Sequence, residues 1–201
     1  MIAAALTIGT LGGFMVMVLA PTNAASDQAR LQQLMDDYNT QVEKQSADLS
    51  SKYYTTFNEF ATKPAAFVAA DVTELKSEDL KIGDGEEIKD GATNYSVYYI
   101  GWNPTGKVFQ QSINSGKLDA PLAGGQFIEG MNKGVVGMKL GGIRELTIPA
   151  AQAYKEAGSG ADIPPNTPLK FIVMAIPAVE QITPSKELMD LYAKKQQSQQ
   201  Y

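Results

Sequence analysis

The side chains that could form a functional site in this chain are aromatic and apolar. The stretch 123–131 opens with two glycines and leads into apolar residues that are spaced for one face of a short helix at 126–136. Strands rich in aromatic and β-branched residues are predicted on both sides of it, at Tyr95–Trp102 and at 169–176. An apolar helix end between such strands can form a pocket for an apolar ligand. The alternative is that these side chains form ordinary core.

The composition excludes several kinds of chemistry. The 201 residues include no histidine and no cysteine. This excludes disulfides, thiolate chemistry, zinc sites of the usual ligand sets and a Ser-His-Asp triad. The net charge of −5 argues against a nucleic-acid-binding surface, which needs clustered basic residues.

Short strands joined by tight turns are predicted across residues 72–179. Residues 149–168 are predicted to form a long surface loop. Strands with only one short helix among them are typical of an antiparallel α+β domain. The predicted strands are Val72–Leu75, Leu80–Ile82, Tyr95–Trp102, Lys107–Phe109, Leu118–Leu122, Ile143–Ile148 and Leu169–Ile176.

The first 21 residues are predicted to be a transmembrane anchor or a signal segment. Residues 2–20 are uncharged and mostly apolar, and a membrane-spanning helix needs about 20 such residues. A cleaved signal peptide is the alternative, with a passable cleavage site at 22–24. Both interpretations predict an exported protein, which is either membrane-anchored with an extracytoplasmic domain or secreted.

Residues 26–63 have the pattern of a long amphipathic helix. Apolar residues recur there at spacings of three and four. One interpretation is a stalk that spaces the domain from a membrane and allows self-association. The other is a helix that packs its apolar stripe on its own domain. Residues 184–201 are predicted to be a polar C-terminal tail, in which 186–195 could form a short helix.

Several short motifs follow one another across residues 72–179, about half of the chain. They are Tyr99-Ile-Gly101 with Gly106-Lys-Val-Phe-Gln-Gln-Ser112, Gly125-Gln-Phe-Ile-Glu-Gly-Met131, Leu146-Thr-Ile-Pro149, Ala153-Tyr154, and Ile163-Pro-Pro165 with Leu169-Lys-Phe171. In residue type and order they resemble the motifs of the FKBP-type peptidyl-prolyl cis-trans isomerases. The resemblance implies an FKBP-like α+β fold, in which an antiparallel half-barrel sheet of five or six strands wraps around the one short helix.

The resemblance also implies a pocket for proline-containing polypeptides and a reaction that needs no cofactor and no metal. In the family, the backbone N–H at the position of Ile128 binds a substrate carbonyl, and the hydroxyl matching Tyr154 donates a second hydrogen bond. The positions implied to be catalytic are Tyr99, Phe109, Gln110, Ile128, Tyr154 and Phe171. The positions implied to bind substrate are Leu118, Phe127, Met131, Ser159 and Ile163.

Four of these positions differ from the family pattern. The family's pocket aspartate is Gln110, its floor tryptophan is Met131, a loop histidine is Ser159, and Leu118 stands where the family has an aromatic residue. Methionine is more flexible than a flat indole ring and should loosen the fit to a proline. We therefore expect a slow isomerase that assists the folding of exported proteins. The alternatives are a non-catalytic proline-peptide-binding module or chaperone, and an adaptor whose functional part is the helical stalk.

Overall fold

The computed structural model describes residues 24–198, and the predicted anchor or signal segment at 1–21 lies outside them. No helix within 24–198 is long and apolar enough to cross a membrane. The helices and strands are α1 (Ala24–Asn58), β1 (Lys76–Lys81), β2 (Tyr95–Trp102), β3 (Val108–Gln111), β4 (Ile113–Asn114), β5 (Lys117–Leu118), β6 (Leu122–Ala123), α2 (Glu129–Gly134), β7 (Ile143–Ile148), β8 (Leu169–Pro177) and α3 (Lys186–Ser198).

The chain divides into two compact units. The larger unit is Thr40–Ile182, which holds the sheet, α2 and the second part of α1. Among the described residues, the smaller unit joins 24–39 to 183–198. Within the smaller unit, the Arg30 guanidinium donates two hydrogen bonds, of 2.7 and 2.8 Å, to the Glu187 carboxylate. The segment predicted as a polar tail contains the helix α3, at the place where a short helix at 186–195 was predicted, and this exposed ion pair links it to α1.

The main sheet is antiparallel, with the strand order β1-β7-β8-β2-β3. A further short strand, β6, pairs with β2, while β4 and β5 form a separate hairpin. The two central strands, β8 and β2, are paired along the whole of β2, from Tyr95↔Pro177 to Trp102↔Lys170. The order and the directions confirm the antiparallel α+β prediction.

Both faces of the central sheet are covered, which explains why all eight residues of β2 are buried. One face, which we call the α2 face, carries Tyr99 and Phe171 and is covered by Met131 of α2 and by Val135, which directly follows the helix. The opposite face, which we call the α1 face, carries alternate residues of the same strands. Because each strand needs apolar side chains on both sides, its sequence shows a continuous apolar run instead of an alternating pattern.

The α1 face is covered by the second part of α1. Leu49, Tyr53 and Phe57 recur at intervals of four residues and pack with Tyr98 and its neighbours on this face. Phe57 is completely buried, and its ring centroid lies 6.2 Å from that of Tyr98. These contacts agree with the interpretation in which the helix packs its stripe on its own domain.

Two serines of α1 also make hydrogen bonds to β5. The Ser50 hydroxyl accepts a bond of 2.9 Å from the Leu118 backbone N–H, and the Ser46 hydroxyl donates one of 3.0 Å to the Leu118 carbonyl. Both backbone polar groups of Leu118 are thereby satisfied by the helix.

The α2 face is closed by a very short approach between α2 and β7. A Cβ atom on Gly130 would lie 2.2 Å from Cγ2 of Ile148, and one on Gly134 would lie 2.7 Å from Cδ2 of Leu146. Two glycines spaced by four therefore form the surface of α2 that rests on the sheet. This leaves Met131 and Val135 to fill the space beside it.

Several predicted boundaries were wrong. Instead of strands at Val72–Leu75 and Leu80–Ile82, one strand, β1, runs through the predicted linker between them. It is an edge strand whose backbone pairs with β7 while its charged side chains remain largely exposed, so it has no apolar pattern to detect.

Three other elements differ for local reasons. The predicted strand Leu118–Leu122 is two strands, β5 and β6, because Pro121 lies between them and lacks the N–H that a ladder needs. The central helix is shorter than 126–136, since Ile128 has an extended ψ of 152°. The predicted loop at 149–168 contains two 3₁₀ turns, Ala150–Gln152 and Lys155–Ala157.

Candidate active site

Three aromatic rings from three strands form one wall of the candidate site. Phe171 of β8 lies between Phe109 of β3, at 5.7 Å between ring centroids in an edge-to-face arrangement, and Tyr99 of β2, at 6.3 Å. Gly101 leaves room for this group, because a Cβ there would lie 2.6 Å from Phe171 and 2.7 Å from Phe109. The strand pairing therefore gathers residues that are 72 positions apart in sequence (171 − 99) into a single apolar wall.

The start of α2 forms the floor of the site. Met131 is buried in the same cluster as the three rings, and half-buried Phe127 and Ile128 pack against that cluster. Asn132 holds the entry to the helix, because its Nδ2 donates a 2.9 Å hydrogen bond to the Phe127 carbonyl. The Ile128 backbone N–H makes no hydrogen bond to any residue in the described part of the chain. It is therefore a free donor at the edge of an apolar floor.

A loop after β7 completes the site. A cavity of about 200 Å³ is lined by Phe109, Gln110, Tyr154 and residues 159–163. Ile163 is buried against the aromatic wall, whereas Ser159 and Gln110 are exposed at the rim. The lining of the cavity thus combines apolar side chains, such as Phe109 and Ile163, with polar ones, such as Gln110 and Ser159.

The two tyrosines of the site keep their protons at neutral pH. Burial raises the pKa of Tyr99 to about 12, and the neighbouring Tyr154 and Asp119 add to the effect. Burial also raises the pKa of Tyr154. Because both hydroxyls stay neutral, each can donate a hydrogen bond to a carbonyl group.

The structure brings most of the predicted site residues together. Five border the cavity directly, and they are Phe109, Gln110, Tyr154, Ser159 and Ile163. Another five belong to the apolar cluster on the α2 face beside it, and they are Tyr99, Phe127, Ile128, Met131 and Phe171. Both groups come from β2, β3, β8, the start of α2 and the loop after β7.

Leu118 is the exception. It is completely buried on the α1 face, in the cluster with Phe57, Tyr98 and Trp102. Its prediction as a substrate-binding residue followed from its place in the motif order, and the packing of α1 directs it to the opposite side of the sheet. The neighbouring residue Asp119 is the one that influences Tyr99 electrostatically.

The sequence reasoning also missed residues that shape the site without forming its surface. Gly101 has a detectable signal, since a glycine inside an aromatic strand indicates a close approach by another group. Asn103 and Asp162 have none, because their contact joins two loops that are distant in sequence. In residues 24–198, no group of three acidic or histidine side chains is arranged to hold a metal ion.

Comparison with known proteins places these features in a family. Residues 84–176 match the sequence profile of the FKBP-type peptidyl-prolyl cis-trans isomerases. Over 104 residues the chain is 39% identical to an FK506-binding protein of Neisseria meningitidis, and the match covers 51% of this chain and 94% of that protein. The chain therefore belongs to the FKBP-type peptidyl-prolyl cis-trans isomerase family, which defines its enzyme class.

Other relatives are longer or similar only over the domain. The chain is 42% identical over 96 residues to FK506-binding protein 4 of Rhizopus delemar, covering 48% of this chain but only 25% of that protein. The crystal structure of AtFKBP13 is 32% identical, with 52% of this chain and 93% of that chain covered and a TM-score of 0.45. The residues that match the family profile, 84–176, include all of the candidate site residues.

Proposed function

We propose that the chain catalyses the cis–trans isomerisation of Xaa-Pro bonds in polypeptides, using the cavity beside Phe109 and Tyr154. The observation that carries the proposal is the combination of an aromatic wall with two neutral hydrogen-bond donors. The wall is Tyr99, Phe109 and Phe171, and the donors are the Tyr154 hydroxyl and the backbone N–H of Ile128.

The reaction needs only a lower barrier to rotation. Rotation of a peptide bond costs about 18–20 kcal/mol because resonance makes it partly double. Before proline the two isomers differ little in energy but exchange in tens to hundreds of seconds. Twisting the amide removes its conjugation and reduces its dipole. A dry apolar wall therefore favours the twisted amide over the planar one, which is the differential stabilisation that catalysis requires.

Each group has a distinct role in this proposal. The three rings enclose the pyrrolidine ring and exclude water from the amide. The Ile128 N–H and the Tyr154 hydroxyl bind carbonyl groups of the substrate and hold its chain on either side of the twisting bond. Gln110, where the family has an aspartate, offers a polar group at the rim without a charge. No proton is transferred, so the lack of histidine does not limit the reaction.

The test measures exchange of a short Xaa-Pro peptide by NMR with the full chain added. We expect faster exchange with the wild-type protein, a large loss for Phe171→Ala and a smaller loss for Tyr154→Phe. Ile176→Val is the matched control, because Ile176 lies on the α1 face of the same strand as Phe171. Exchange at the uncatalysed rate with folded protein would contradict the proposal.

A non-catalytic proline-peptide binder is the second candidate. It is favoured by the flexible Met131 at the floor and by the uncharged Gln110 at the rim. Titration of the same peptide distinguishes the two functions, since a binder shifts the peptide resonances in a Phe171-dependent way without changing the exchange rate. Met131→Trp should then increase turnover if the floor is what limits catalysis.

The location of the protein and its substrates are also proposals. The apolar segment 2–20 supports export, with residues 1–21 either retained as an anchor or removed as a signal. Exported polypeptides are then the substrates. Fractionation of cells that express the full chain, with mass measurement of its N-terminus, separates an anchored from a secreted form.

Self-association through α1 stays a prediction, which sedimentation of the full chain can test.

A further inference from the structure

Asn103, in the turn between β2 and β3, uses both ends of its side-chain amide. Its Oδ1 accepts hydrogen bonds from the backbone N–H groups of Thr105 and Lys107, at 3.1 and 3.2 Å, and from the Thr105 hydroxyl at 2.7 Å. Its Nδ2 donates a 2.9 Å bond to the backbone carbonyl of Asp162. Since N–H groups require an acceptor and a carbonyl requires a donor, these partners fix the orientation of the amide. Asn103 is only 7% exposed.

The turn that holds Asn103 is itself firmly anchored. On its other side, the Phe67 N–H donates a 3.0 Å bond to the Pro104 carbonyl. A Cβ on Gly106 would lie 2.8 Å from the Ala66 nitrogen, so the turn and the segment at 65–67 are in direct contact. The Trp102 indole N–H also donates a 3.0 Å bond to the Ala65 carbonyl. Asn103 therefore extends from a part of the domain that is held in place.

The partner of Asn103 belongs to the loop that forms one side of the cavity. Residues 159–163 line the same cavity as Phe109. Within the loop, the Ser159 N–H donates a 2.8 Å bond to the Ile163 carbonyl, which makes 159–163 a small closed unit. The Asp162 side chain adds an ion pair to Lys107, but both side chains are well exposed, and such pairs contribute little.

We infer that Asn103 is a positioning residue for substrate, because its Nδ2 donor holds the cavity wall 159–163 at a fixed distance from the aromatic wall. This inference rests on the proposed function, in which the cavity binds the Xaa-Pro segment. Asn103 contacts no substrate in this arrangement. It sets the width of the site and hence the affinity for the peptide, while the groups that act on the twisting bond are left unchanged.

The test uses variants that keep the hydrogen bonds of Asn103 within its own turn and remove only the bond to the cavity wall. Asn103→Asp keeps the acceptor for the turn and removes the donor to Asp162. Asn103→Ser also keeps an acceptor, is too short to reach the loop, and introduces no charge. Lys107→Met is the matched control, because it removes only the exposed ion pair. The readouts are KM and kcat for an Xaa-Pro peptide, together with hydrogen exchange of loop amides.

We expect KM to rise on the order of 3- to 10-fold in both Asn103 variants, as for the loss of one hydrogen bond, with kcat nearly unchanged. The amide of Ser159 should exchange faster, while the amide of Ala175 in β8 should not. Lys107→Met should leave both readouts close to wild type. Wild-type KM and wild-type loop exchange in the two Asn103 variants would overturn the inference.

The two proposals fail in different ways. If the wild-type protein does not accelerate isomerisation, the proposed function fails, and the Kd of the peptide replaces KM. The peptide Kd and loop exchange together then decide the role of Asn103. A rise in loop exchange without a change in KM or Kd would also overturn the inference, since it would show that the wall position does not control binding.

Discussion

Gly101 lies against the ring of Phe171, so that a Cβ atom at position 101 would come within 2.6 Å of its Cε1 atom. The same Cβ would lie 2.7 Å from Cζ of Phe109. One missing side chain on β2 thus allows two rings from different strands to meet in an edge-to-face contact. The aromatic wall depends on this glycine as much as on the rings themselves.

Gly101→Ala should therefore displace the wall. We expect a loss of about 1–3 kcal/mol in the free energy of unfolding, as for other overpacked sites. We also expect kcat/KM to fall on the order of tenfold to a hundredfold, because the rings shift relative to Ile128 and Tyr154. Ile100→Val is the control, since Ile100 lies on the α1 face. Equal effects of the two variants on kcat/KM would contradict this explanation.

Phe57 of α1 should be as important for stability as a residue of the sheet. It is completely buried against Tyr98, and Phe→Ala substitutions in cores cost about 3–5 kcal/mol. Phe57→Leu preserves most of the volume and should cost less than about 1.5 kcal/mol. Denaturant unfolding of the full chain measures both. A negligible effect of Phe57→Ala would show that α1 is not part of this core in solution.

Removing the Arg144 side chain should lower the free energy of unfolding more than removing the side chain of its ion-pair partner Asp79. The Arg144 side chain, 10% exposed, donates to both Asp79 carboxylate oxygens and, through Nη1, to the carbonyls of Gly134 and Val136 at 2.9 Å. Arg144→Ala leaves the Val136 carbonyl without its hydrogen bond and the Gly134 carbonyl with only the 3.4 Å bond from the Ser77 hydroxyl, and it should cost about 2–4 kcal/mol. Asp79→Ala keeps them paired and should cost about 1 kcal/mol. A double-mutant cycle on unfolding measures the pair, and the reverse order of effects would refute the assignment.

Stability should fall at alkaline pH because buried tyrosines resist ionisation. The pKa of Tyr99 is raised from 10.0 to about 12, and burial also raises the pKa values of Tyr95, Tyr98 and Tyr154. The unfolded chain then releases protons first, so the contribution is complete below about pH 10 and is lost as the pH rises towards 12. Unfolding midpoints across this range measure the effect. Tyr99→Phe should reduce the slope, and an unchanged slope would contradict the cause.

Unlike stability at alkaline pH, the isomerase activity should not depend on pH near neutrality. No histidine titrates in this chain, and both site tyrosines stay protonated, so kcat/KM should be flat from about pH 6 to 9. The peptide exchange assay in matched buffers measures this directly. A bell-shaped profile in that range would show that a group outside the proposed site controls the reaction.

The parts of the site that could be predicted are those with local signals. The strand Tyr95–Trp102 matches the structure at both ends because its β-branched and aromatic residues indicate a buried strand. The strand Ile143–Ile148 does so as well. The motif order then indicated which side chains share a site, and ten of the eleven lie around or beside one cavity. Leu118 lies apart from them on the α1 face, because the motif order does not specify which face of a sheet a residue occupies.

The sequence by itself determined the enzyme family, the antiparallel class of the domain and an apolar site without histidine or cysteine chemistry. These depend on residue types and on spacings within short segments. Only the tertiary structure decided that the second part of α1 belongs to the domain core, that Gly101 makes room for the rings, and that Asn103 holds the wall at 159–163. Each of these is a contact between segments far apart in the chain. Such contacts depend on how elements pack in space, which local periodicity does not encode.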